Sequence, residues 1–146
     1  MPGNLKVNIT DLEKFYSTLD LAPNHFIKAR RVRSRKRDHF KTLIAGILQS
    51  LTSGFNMIDT GGTPTCCHRD FFKTMVSPPP PNDVSFETYA LYLAHKNNYR
   101  IIRPRISYGL RMFGESHWQK GIVSEIKLLL RLIGLIRALK KNKKSN

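Results

Sequence analysis

Residues 28–51 read KARRVRSRKRDHFKTLIAGILQSL, and two opposite kinds of chain meet inside this stretch. Seven of the ten residues 28–37 are cationic and none is acidic. Phe40, Leu43, Ile44, Ile47, Leu48 and Leu51 then follow at the i, i+3, i+4, i+7, i+8, i+11 spacing of one helix face. Asp38 is placed to cap the start of that helix and Gly54 to end it. Seven positive charges at a helix N-terminus oppose the helix macrodipole. The run 28–37 is therefore expected as an exposed arm, or as a segment ordered by bound anions.

Outward from this stretch the chain reads as mainly α with a minor β element: about four helices plus a short strand or hairpin near 99–113. Thr10-Asp11-Leu12-Glu13 fits the S/T-x-x-E capping box, and Leu12, Phe15, Tyr16 and Leu19 follow at helical spacing, giving a short helix over about 11–20. Asp83 is a plausible N-cap for a helix whose face is Phe86, Tyr89, Ala90 and Leu93 and which closes near Asn97-Asn98. The period then changes. Ile106, Tyr108, Leu110 and Met112 alternate with Arg105, Ser107, Gly109 and Arg111, the period of a half-buried strand. Residues 99–103 are its candidate partner, with Pro104 interrupting the ladder.

Ser116-His117-Trp118-Gln119 repeats the capping pattern before a last helix that runs to about residue 140. Lys120, Ser124, Lys127 and Arg131 form a narrow polar stripe on it. The rest is largely apolar, including Ile122, Ile126, Leu129, Leu130, Ile133 and Ile136, so this helix is expected to bury most of its surface. Lys140, Lys141, Lys143 and Lys144 complement its C-terminal dipole.

The polyproline stretch from Pro78 to Pro81 cannot join a helix or a central strand. It divides the chain into an N-terminal helical segment, 1–76, carrying the basic arm; a linker, 77–82; and a helix–strand–helix segment with a basic tail, 83–146. Neither segment is large enough to be clearly stable alone, so the two are expected to pack together or onto a partner.

The chain has 146 residues and a net charge of +15, with 25 Lys and Arg against 10 Asp and Glu. That excess opposes a compact monomer unless an anion relieves it. Arginine forks bind phosphate oxygens in pairs, and each neutralised phosphate releases counterions. The expected partner is thus nucleic acid, RNA or DNA, contacted through Lys28, Arg30, Arg31, Arg33, Arg35, Lys36 and Arg37. Arg103, Arg105 and Arg111 form a second anion surface, with Tyr99 and Tyr108 available to stack on bases. A short Lys/Arg run is also a nuclear-import address, which places the protein in the nucleus or cytoplasm. The expected type is a viral accessory or regulatory protein, with an organellar or microbial ribosomal protein as the alternative. A further alternative is a peripheral, matrix-like assembly protein. It would lay the C-terminal amphipathic helix on an anionic membrane surface, or self-associate through residues 118–139.

Other chemistry is thinly represented. Met1 to Leu12 holds no signal-peptide apolar run. The five charges of residues 118–139 argue against a membrane span. Cys66 and Cys67 are adjacent and cannot found a disulfide framework. With His68 they lack the two-to-four-residue spacing of zinc ligands. Asp59-Thr60-Gly61, after Met57 and Ile58, resembles the signature tripeptide of aspartic proteases, and Leu132-Ile133-Gly134 resembles that family's later apolar-apolar-Gly element. The resemblance implies a homodimer in which two copies of Asp59 share a proton. Against it, the segment before Asp59 has helical period, no glycine-rich flap is present, Gly134 lies in a helix-like run, and Asp-Thr-Gly-Gly is fully explained as a turn. No P-loop, G-x-G-x-x-G or H-E-x-x-H occurs. The expectation is a binding protein rather than an enzyme, with no catalytic residue, metal or cofactor.

Overall fold

The computed structural model describes residues 10, 13, 15, 17, 22–32, 36–75, 79–107 and 122–141. It combines helices with small sheets of few strands, a helix-rich mixed α/β arrangement rather than a purely helical one. The main correction concerns the start of the basic run. Instead of forming an exposed arm, it lies in strands: β1 is His25–Lys28 and β2 is Arg30–Val32. The physical reason lies just upstream, where Phe26 and Ile27 are strand-forming side chains that the sheet buries completely.

β1 is the central strand of a three-stranded sheet. It pairs antiparallel with β3, Thr65–Cys67, and parallel with β4, Arg100–Ile102. β2 pairs parallel with β5, Arg105–Ser107. The β1–β4 and β2–β5 ladders keep one register, from His25↔Arg100 and Ile27↔Ile102 to Arg30↔Arg105 and Val32↔Ser107. They form one long parallel pair interrupted at Pro104. Proline has no N–H to give to the ladder, but its carbonyl still accepts the Arg30 amide at 2.8 Å. The Ala29 amide turns the other way, to Pro64 O at 3.0 Å.

Residues 99–107 therefore supply short strands where a short strand or hairpin was expected, but not a hairpin. The two residues between β4 and β5, Arg103 and Pro104, lack the positive-φ residue a tight hairpin turn needs, and each strand finds a partner far away in sequence. Residues 108–121, with the rest of the expected strand and the second capping pattern, lie outside the described residues. Parallel pairing of β1 with β4 requires a long crossover. It also means that strands from both sides of the polyproline stretch share one sheet.

Both faces of this sheet are covered, which accounts for the unbroken burial of residues 26–29. On one side Phe26 meets Phe71, Met57, Tyr89, Ile136 and Leu139, with Ile101 packed alongside. Phe71 comes from a 3-10 helix, Arg69–Met75. On the other side Ile27, Ala29 and Ile106 meet Phe15, with Cys66 and Ile102 against them. Glu13, Phe15 and Ser17 are helical, as expected for a helix over about 11–20, but Thr10 is helical too and so is not its N-cap. Each fully buried Ile or Phe contributes about 1.5–3 kcal/mol.

Three α-helices complete the fold. α1 is Lys36–Ser53, α2 is Phe86–Lys96 and α3 is Ile122–Lys141. α1 ends as expected at Gly54, whose φ of 86° is a left-handed conformation suited to glycine. α2 is more deeply placed than its amphipathic spacing suggests, since every residue from Thr88 to Ala94 is buried. Asp83 does mark its start, but from two residues before the Ser85 cap position: its carboxylate accepts the Ser85 amide at 2.8 Å.

α1 and α3 depart from expectation in the same way. The apolar series of α1 does share one face, yet Phe40 is 64% and Leu51 76% exposed. α1 meets the core through its small and polar side instead, where Gly46 and Gln49 are buried. At Gly46 a Cβ would come within 2.8 Å of the Ile58 Cα, so only glycine permits this approach. Ser50 Oγ donates to Gly46 O and accepts the Met57 amide. Gln49 Oε1 accepts the hydroxyls of Thr60 and Thr88, joining α1 to the following turn and to α2. α3 buries Leu132, Ile136 and Leu139 but leaves Val123, Ile126 and Leu130 exposed.

Candidate nucleic-acid interface

The break at Pro104 gathers the charges. Lys28 ends β1 with its side chain fully buried, where an isolated ammonium would be strongly disfavoured. It is held by an ion pair with Glu87 at the start of α2 and donates to Thr65 Oγ1 at 3.1 Å. The Thr65 hydroxyl donates in turn to the same Glu87 oxygen at 3.1 Å. Burial pushes the Lys28 ammonium below the usual lysine range, and Glu87 acts in the opposite direction. Glu87 is 30% exposed, so the pair is buried at its cationic end only.

Asp59 holds the next strand. It sits in the turn after α1 with φ 57°, and its carboxylate is almost fully buried. Oδ2 accepts the Arg31 amide and Oδ1 the Arg31 Nε, both at 2.7 Å. The carboxylate thus does for the outer edge of β2 what a neighbouring strand would do, and neutralises a guanidinium as well. Arg103, between β4 and β5, donates to the carbonyls of Ile58 and Asp59 at 2.5 and 2.8 Å. Burial lowers the Arg103 pKa, Asp59 raises it and Arg30 lowers it again, so Arg30 stands near enough to act on its charge. Gly62 closes the turn where a Cβ would lie 2.1 Å from Ala29 O.

Five cations, Lys28, Arg30, Arg31, Arg103 and Arg105, thus lie beside the break, and two carboxylates, Glu87 and Asp59, pair with Lys28 and Arg31. Lys28, Arg31 and Arg103 are taken up inside the protein. Arg30 and Arg105 are not. They are register partners on adjacent parallel strands, which places them on one face about 4.8 Å apart along the sheet. Both are exposed, and among the described residues neither guanidinium has a hydrogen-bond or carboxylate partner. Two adjacent unpaired guanidiniums have the charge and donors to bind one oxyanion together.

Of the residues expected to contact nucleic acid, the structure thus brings Arg30, Arg31, Arg103 and Arg105 together and buries Lys28. Lys36 and Arg37 open α1, directly after the segment that leaves β2. Arg33, Arg35 and Arg111 lie outside the described residues, as does Tyr108. Tyr99 is not available for base stacking: it packs edge-on against Phe71, ring centroids 5.1 Å apart. The residues missed at the sequence level are Asp59 and Glu87, which pair with Arg31 and Lys28. The Asp-Thr-Gly-Gly turn was the visible signal for Asp59, whereas Glu87 carried none.

Elsewhere, Cys66 and Cys67 are adjacent in β3 and point to opposite faces, one to each core. Burial raises the pKa of both thiols. Among the described residues no cluster of His, Cys, Asp and Glu is arranged to hold a metal ion, and no described helix is long and apolar enough to cross a membrane. The tripeptide shared with aspartic proteases is a turn whose Asp59 is ion-paired to Arg31, and Gly134 lies within α3. Compared with protein-family models, curated proteins and solved structures, the chain matches none.

Proposed function

We propose that the protein binds nucleic acid by phosphate contacts centred on Arg30 and Arg105, as a small regulatory or accessory protein of the viral type. The observation that carries this reading is the side-by-side pair of exposed, unpartnered guanidiniums at the Pro104 break, in a chain of net charge +15. The geometry suits a backbone and not a base edge. The two forks lie along a strand pair, not on a protruding helix that enters a groove, and Tyr99 is committed to the core. Binding is therefore expected to be tolerant of sequence and steep in salt. Arg33, Arg35, Lys36 and Arg37 continue the same chain from β2 and extend the basic tract, which also serves as the nuclear-import address. Fluorescence anisotropy with labelled single-stranded RNA, single-stranded DNA and duplex DNA tests the reading. Affinity should fall by orders of magnitude between about 50 and 200 mM salt. Absence of binding to all three at low salt, or binding indifferent to salt, refutes it.

A further inference from the structure

The exposed face of α1 calls for a different partner. Phe40, Ile44, Ile47 and Leu51 follow one another at intervals of four, three and four residues, the spacing of a coiled-coil seam, and each is 42–76% exposed. Leu48 flanks the seam and is 38% exposed. A seam of this period is built to meet another helix, and α1 turns it away from its own core.

Charge narrows the choice of that partner. From residue 42 to residue 58 the sequence contains no Asp, Glu, Lys, Arg or His, in a chain where charged residues make up 24%. A surface for anionic lipid, or for an acidic protein, would carry lysine and arginine beside its apolar residues. A surface that must meet its own copy gains by carrying none, because like charges brought together across a two-fold axis repel. Phe40 lies outside this run, with Lys36, Arg37 and Lys41 close by in sequence, so the span from Ile44 to Leu51 is the part of a strongly basic molecule where a second copy can approach.

The exposed area is also sufficient. α3 packs against α1 and carries a second exposed stripe, Val123, Ile126 and Leu130, at intervals of three and four, which exposed Lys127 and Arg131 border as the polar rim of a contact would be. Together the two stripes expose on the order of 800 Å² of apolar side chain, about what each partner contributes to a standard-size interface.

We infer that the protein is a homodimer in which α1 packs against α1 of a second copy through Phe40, Ile44, Ile47 and Leu51, with the α3 stripes flanking the contact. This inference does not depend on the nucleic-acid reading. The dimer would present two Arg30–Arg105 forks on one particle.

Sedimentation equilibrium of the full-length, nuclease-treated protein tests it. The salt should be about 1 M, where charge repulsion is screened within ~3 Å. The expected species has twice the 16.8 kDa chain mass. Ile47→Glu and Ile47→Lys should each weaken the dimer at least tenfold with helix content unchanged by circular dichroism, since Ile47 is exposed in the single chain. Mixing the two variants at about 0.1 M salt, where the Debye length is about 10 Å, should restore dimers through the opposed charges. A wild-type protein that stays monomeric at every concentration overturns the inference, as do variants that dimerise like wild type. Monomers that co-sediment with phosphatidylserine vesicles through Ile47 also overturn it, in favour of a membrane partner.

Discussion

Lys28 shows why a residue's charge does not by itself reveal its role. Read in sequence it is the first cation of a basic tract. In the fold it is a core residue, neutralised by Glu87 and anchored to Thr65. Removing one partner of such a pair strands the other, and the penalty depends on how far the stranded group is from water. The stranded ammonium would be fully buried, whereas the stranded carboxylate would be 30% exposed. Glu87→Gln should therefore destabilise the protein by about 3 kcal/mol or more, and Lys28→Met by less, as read from urea unfolding midpoints. The reverse order would mean that Lys28 is not buried as described. Asp59 presents the same lesson from the acidic side. Its carboxylate holds the Arg31 amide and guanidinium at 2.7 Å, so Asp59→Asn should cost stability, on the order of 2 kcal/mol.

At the scale of elements, the helices were the legible part. The spacings around Phe40, Phe86 and Ile126 each placed a helix where one is found, because helical periodicity is local and needs no partner to be read. The strands were not legible in this way. β1 is a short apolar stretch before a basic tract, and the strand that completes it lies beyond the polyproline segment. Nor could spacing say which face of α1 turns inward. That is decided by Gly46, whose missing Cβ allows contact with Ile58. Alanine raises intrinsic helix stability over glycine by about 1 kcal/mol, but the clash it introduces here is with backbone and costs about 1–3 kcal/mol. Gly46→Ala should therefore lower the thermal midpoint instead of raising it. α2 and α3 are joined by Asp83, whose carboxyl is held below the usual carboxylate range by hydrogen bonding to Ser85, with Arg131 adding to the effect. A lowered folded-state pKa gives stability that is present above the ordinary value near 3.8 and is lost as pH falls through the folded value. Asp83→Asn should thus be less stable than wild type at neutral pH, and the two should converge in acid denaturation below that range.

For the molecule as a whole, the candidate site was legible only in part. Composition pointed to a polyanion partner, and Arg30 and Arg105 were both among the residues expected to meet it. What the sequence could not show is that they become neighbours, because their adjacency depends on a parallel register carried across the Pro104 break. It also could not show that three of the surrounding cations are used internally, so that the fork and the undescribed continuation of the tract are what remains to meet a partner. The most direct test is the salt dependence of duplex-DNA affinity for wild type and for Arg30→Ala/Arg105→Ala. Each lost phosphate contact should reduce the slope of log K against log salt by about 0.9, so the double variant should bind more weakly at low salt with a slope shallower by about 1.8. An unchanged slope and affinity in the double variant would contradict the account.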